Sequence, residues 1–128
     1  MILFNFKFWE VHEMSIRIDV AERIGNPSAL TQEQGDIIFH EIDTSFKRKE
    51  EIFLDFSNVE SMISPFLNNA IGQLYENYTS EDIKQYLHLE NFPPTKNSTL
   101  NIVINNAKKF YANKKTFVET AKDVLNVE

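Results

Sequence analysis

A chain of 128 residues with net charge −6 and a sequence pI near 5.1 has room for one domain, and it lacks the basic stripe that duplex nucleic acid demands. Its 42% hydrophobic and 25% charged residues describe a globular chain rather than a disordered one, and no apolar run approaches the ~20 residues of a membrane span. The absence of cysteine excludes a disulfide framework and thiol chemistry and suits a reducing cytosol, so a cytoplasmic location is expected.

The first elements read as strands. Ile2, Phe4, Phe6 and Phe8 alternate with period two, which predicts an extra edge strand within residues 1–13, although Met14 is a second candidate start. Ile16, Ile18 and Val20 alternate again, so the two runs are expected to pair as a hairpin. Gly25-Asn26-Pro27-Ser28 has the chemistry of a loop. Thr31 followed by Gln34 is a capping-box pattern, and Ile37, Ile38, Ile42 and Phe46 extend it into a helix from Thr31 to Lys47.

Glu51 to Phe56 is short, β-rich and nearly continuously apolar, as a central strand covered on both faces would be. Phe66, Leu67, Ala70, Ile71, Leu74, Tyr75 and Tyr78 recur at helical spacing. Thr79 to Tyr86 reads as a short capped helix, and Leu87 to Phe92 as a strand stopped by Pro93-Pro94. Two final helices are predicted, one carrying Leu100, Val103, Ile104, Ala107, Phe110 and Tyr111, the other spanning 113–128 with Phe117, Val118, Ala121, Val124 and Leu125. The order is that of a single α/β domain over 1–128, with a mixed, mostly parallel four-stranded sheet and about four helices.

Between the strand and the helix that follows it runs Ser57-Asn58-Val59-Glu60-Ser61-Met62-Ile63-Ser64-Pro65. Serine favours the N-cap and proline the first helical turn, so Ser64 is expected to start the helix and the preceding residues to form a loop. The carboxyl end of a strand in an open α/β sheet is where binding surfaces lie.

This unit resembles the signature region of STAS domains, the fold of bacterial anti-sigma factor antagonists, and more closely the STAS-like family DUF4325. The matching residues are Asp55-Phe56, Val59 and Ile63-Ser64, with Thr31 and Gly35 upstream and Leu89-Glu90-Asn91 downstream, so the likeness covers about Ile16 to Tyr111. It departs where Asn69-Ala70 replaces an acidic pair, and where Ile63 replaces the aspartate before the phosphorylated serine of STAS domains. The resemblance implies a STAS-like fold and a bacterial, non-enzymatic signalling module without a cofactor. Its partner would be a histidine-kinase-like ATPase or serine kinase. Ser64 lines up with the phosphorylated serine, so it is read either as a cap alone or as a cap and regulated phosphosite. The expected partner surface comprises Asp55, Ser57, Asn58, Ser61, Ser64, Asn68 and Asn69, with Met62 and Phe66 as apolar anchors.

Other clusters read as structural. Asp36 and His40 stand i, i+4 but have no third metal ligand, and His88 with Glu90 reads as an exposed cross-strand pair. Asp55 is expected to bind the amides of Ser57 or Asn58. Gly25, Gly35 and Gly72 are isolated, so no phosphate-cradling loop is expected. Trp9 beside His12 is a candidate oligomer contact. Two alternative functions remain: a structural or oligomerising subunit, such as a homodimer, that pairs through the N-terminal strand, and a small-ligand domain that uses Asp55 and Glu60.

Overall fold

The structure, a computed structural model, describes residues 15–125. The expected strand at Ile2–Phe8, its hairpin pairing, and the Trp9–His12 contact lie outside the described residues.

Strands β1 (Ser15–Asp19), β3 (Glu51–Asp55) and β5 (Leu87–Glu90) form a parallel sheet in the order β1-β3-β5. Ile18, Ile52 and Leu54 point into the core, while Arg17, Phe53 and His88 share the opposite face. The expectation that the central strand is covered on both faces is corrected: Glu51, Phe53 and Asp55 are only half-buried. Their face is organised by polar contacts instead. The Arg17 guanidinium lies 4.6 Å from the Phe53 ring centroid and pairs with Glu90, and the His88 ring stacks on Phe53 at 4.5 Å while its Nε2 meets Glu51 at 2.7 Å.

Two crossovers join these strands. The first holds helix α1 (Val20–Ile24), strand β2 (Ser28–Ala29) and helix α2 (Gln32–Lys47). Asp19 ends β1 and also caps α1, accepting from the Glu22 N–H at 3.1 Å, and Gly25 closes α1 at φ 73°, a conformation that glycine adopts without penalty. A five-residue helix is too short to show a periodicity, which is why the sequence pattern missed it. The capping box is present: Thr31 accepts from the Gln34 N–H, and Gln34 reaches back to the Thr31 N–H. Behind it Ile38, Ile42 and Phe46 are buried over the sheet.

The second crossover holds β4 (Ser61–Met62), helix α3 (Ser64–Ala70), a 3₁₀ turn (Gly72–Glu76) and helix α4 (Ser80–Tyr86), capped by Thr79. β4 pairs with β2 in a separate two-stranded parallel sheet. α2 and α3 make the most extensive helix contact, crossing at Gly35, where an added Cβ would stand 2.5 Å from the Phe66 carbonyl oxygen and 2.8 Å from Asn69 Cβ. Below this crossing, the Tyr78 hydroxyl donates to Asp43 Oδ1 at 2.6 Å. Burial and that bond push the Tyr78 pKa up to about 12.

Asn97–Leu125 is one helix, α5, rather than the two expected. Residues 112–116, where a break was expected, contain neither glycine nor proline, and the missing apolar contacts reflect solvent rather than a turn. Its first half buries Val103 and Ala107 against α3 and the 3₁₀ turn.

The close crossing predicts that Gly35→Ala lowers unfolding free energy by about 1–3 kcal/mol, as overpacking does. Gly72→Ala is the control, because its Cβ would meet Ala107 Cβ at an ordinary 3.6 Å. Urea denaturation of both variants reads the difference; equal midpoints would contradict the crossing geometry.

Candidate functional site

The carboxyl ends of the three parallel strands carry Asp19, Asp55 and Glu90 in adjacent register. Three carboxylates in a row would repel one another, and each is instead given its own donors. Asn58 Nδ2 donates to Asp19 Oδ2 at 2.7 Å, and Arg17 binds Glu90. Asp55 Oδ1 accepts from the Ser57 N–H and from Asn91 Nδ2, each at 2.9 Å. The Asn91 amide first, then the Ser57 groups, hold the Asp55 carboxyl below its usual pKa. Asn91 adopts φ 55°, a left-handed conformation that asparagine tolerates better than most residues. The expected Asp55–Ser57 turn is therefore present, and Asn91 adds a tie from the neighbouring strand that the sequence reading did not assign.

From Asp55 the chain turns through exposed Ser57 and Asn58 and returns by β4. The Glu60 N–H donates to the Pro27 carbonyl at 2.8 Å and the Ile63 N–H to the Ala29 carbonyl at 3.2 Å, so this loop is laced to the loop before α2. Within the pairing, Ala29 and Met62 turn inward, and the next residues on each side, Leu30 and Ile63, are 40% and 45% exposed. The register set by the pairing places Leu30 and Ile63 side by side as an apolar step beside Ser64.

Three expectations are corrected here. Met62 and Phe66 are 1% and 0% exposed; they are core residues and are not surface anchors. The N-cap of α3 is Ile63, extended at φ −133° and ψ 170°, and Ser64 occupies the first helical position with Pro65 behind it. The shift has a physical reason: Ile63 still belongs to the strand pairing through its N–H, so the chain passes from ladder to helix with no side-chain cap. Ser64 is exposed, as are Ser61 and Asn68. Asn69 is half-buried, its amide donating to Asp36 Oδ1 at 2.9 Å alongside Gln73 Nε2 at 2.7 Å. The same contacts occupy Asp36, and no cluster of metal-ligating side chains occurs among the described residues.

A cleft of about 60 Å³ borders the loop, between Val59–Met62 and Pro93–Lys96. A larger groove of about 720 Å³ lies elsewhere, between the turn Tyr75–Ser80 and α5. No helix among the described residues is long and apolar enough to cross a membrane.

Breaking the Asn91 tie tests the site's electrostatics. In Asn91→Gly, which keeps the backbone conformation, the Asp55 carboxyl should titrate at a higher pH than in the parent, read by carboxyl-carbon NMR. In the parent, a depressed folded-state pKa means that the Asp55 contribution to stability is present above the unfolded carboxylate value and is lost as pH falls through the folded one. An unchanged Asp55 titration in Asn91→Gly would remove Asn91 as its cause.

Comparison with known proteins gives one match: residues 34–96 fit the family model described as a STAS-like domain of unknown function, DUF4325. The match is narrower than the likeness from Ile16 to Tyr111, leaving out β1, α1, β2 and α5 and running from the first turn of α2 to the turn before α5. No curated protein and no solved structure matches the chain. The α/β order and the parallel sheet agree with this match, in which residues 34–96 fit the STAS-like domain family DUF4325.

Proposed function

We propose that the chain is a non-enzymatic regulatory module that binds a histidine-kinase-like ATPase or serine kinase through the loop and helix start around Ser64. The observation that carries this reading is the surface itself. Leu30 and Ile63 offer adjacent exposed apolar side chains, bordered by the polar side chains of Asn58, Ser61, Ser64 and Asn68. A small apolar centre with a polar rim suits reversible protein association. The bordering cleft of about 60 Å³ falls well below the ~300 Å³ of small-molecule pockets, which favours a protein over a metabolite.

Ser64 fits the switch role better than an N-cap would allow. Its hydroxyl makes no capping bond, so it is available to a kinase. A phosphate there adds about −1.5 to −2 charge at neutral pH next to Leu30 and Ile63. The charge would have to be desolvated on docking, so phosphorylation releases the partner.

A pull-down with wild type, Ser64→Ala, Ser64→Glu and Ile63→Asp as baits checks this. Wild type and Ser64→Ala should retain an ATPase or kinase that Ser64→Glu and Ile63→Asp lose at least tenfold. Ser64→Ala should leave stability within about 0.5 kcal/mol, as expected of an exposed residue outside any cap. A partner held equally by all four baits would mean that this surface is not the docking site.

A further inference from the structure

The second half of α5 carries the same apolar stripe that its first half buries, but there Phe110, Phe117, Val118 and Val124 are exposed. Val103, Phe110, Phe117 and Val124 recur every seven residues, and so do Ile104, Tyr111 and Val118; a third column runs Ala107, Lys114, Ala121. These three columns are neighbours on one face. In the first half they meet the domain, with Val103 2% and Ala107 8% exposed. Beyond Ala107 the exposures rise to 60% for Phe110, 73% for Phe117 and 75% for Val124. Isolated helices of this length are marginal in water, and a sustained seven-residue repeat specifies another helix as the packing partner.

We propose that this face pairs with the same face of a second copy, antiparallel, over residues 111–125. The orientation follows from space. In a parallel pair the partner helix would enter the volume that each domain already fills against residues 100–107. An antiparallel pair overlaps only the free halves and carries each helix tip toward the partner's groove of about 720 Å³, between Tyr75–Ser80 and α5. Charge agrees with this arrangement. α5 holds five lysines and two acids, net +3, on a chain of net −6, so the rest carries −9. Lys108, Lys115 and Lys122 form the edge of the stripe that lines the groove, whose far wall bears Glu76. A partner's tip brings its own Lys115 and Lys122 toward that wall and the neighbouring Glu81 and Asp82. Lys114, the one charge inside the stripe, is already held by Glu76 of its own chain at 3.0 Å. An anionic lipid surface would repel the −9 remainder, which is why a second copy is the occupant that the observations favour.

The full chain tests this by analytical ultracentrifugation across the micromolar range. The mass should move from 15.0 kDa toward twice that with concentration. The double variant Phe117→Glu/Val124→Glu, altered only at exposed positions, should raise the dissociation constant by about 100-fold or more with an unchanged circular dichroism spectrum. Because the chain has no cysteine, single introduced ones report orientation. Val118→Cys, at the two-fold axis, should cross-link under mild oxidation, whereas Tyr111→Cys should not, since its mates would stand about 21 Å apart. A wild type that stays monomeric overturns the proposal, and binding of that monomer to phosphatidylserine vesicles would assign the face to lipid. A dimer untouched by the double variant but lost on deleting residues 1–13 places the interface at the N-terminus and equally overturns it. Cross-linking through Tyr111→Cys overturns the antiparallel arrangement.

Discussion

The crossing of α2 and α3 at Gly35 sets the dimensions of everything around it. Helices normally approach to about 8–10 Å, and the contact distance depends on the side chains between them. With no side chain at Gly35, the Phe66 carbonyl and Asn69 can come down onto α2, which seats Phe66 and Leu67 fully in the core. The start of α3 is thereby fixed against the start of α2, and the exposed surface from Leu30 to Ser64 is held between two helix origins rather than hung on a flexible loop. The Asp36–Asn69–Gln73 bonds lock the crossing from its rim. A residue that the sequence presents as an isolated glycine is thus the geometric origin of the candidate site.

Polar and apolar groups divide the sheet in a way that supports this. Its helix-facing side is hydrocarbon, and its other side is built from side chains that each have a partner: Arg17 with Glu90, His88 with Glu51, and Phe53 between the Arg17 guanidinium and the His88 ring. Surface ion pairs contribute little individually, so the value of these contacts lies in fixing where side chains point. The same principle governs the strand ends. Asp19, Asp55 and Glu90 share one edge without mutual repulsion dominating because Asn58, Asn91 and Arg17 are interposed.

Much of this was legible in the sequence. The capping box at Thr31 and Gln34, the stripe Ile38–Ile42–Phe46, the caps of α2 and α4 and the parallel strand order depend on local chemistry or short periodicities, and they are present. What escaped was of two kinds. α1 is five residues long, too short for a helical period, and β2 and β4 are two residues each, too short for an alternation. Met62 was misplaced because a large apolar residue in a polar loop looks the same from sequence whether it faces a partner or the core, and only the β2–β4 pairing decides which residues of Ala29-Leu30 and Met62-Ile63 turn outward; Phe66 is turned inward by the packing of α3 on α2. The break expected near residue 113 failed for a related reason. Loss of apolar contacts along α5 marks where the domain ends, not where the helix does.

The β2–β4 pairing is only two residues long, yet it ties the chain entering α2 directly to the chain entering α3. On one side Gln34 grips the incoming chain by three backbone groups, accepting from Leu30 and Thr31 and donating to the Ser28 carbonyl. On the other side lies the run into Ser64. Pulling or pushing on the Ser64 segment therefore strains the β2 segment, and through Gln34 it reaches the first turn of α2. The short ladder is a mechanical linkage: a load applied to the Ser64 segment is transmitted to the base of α2.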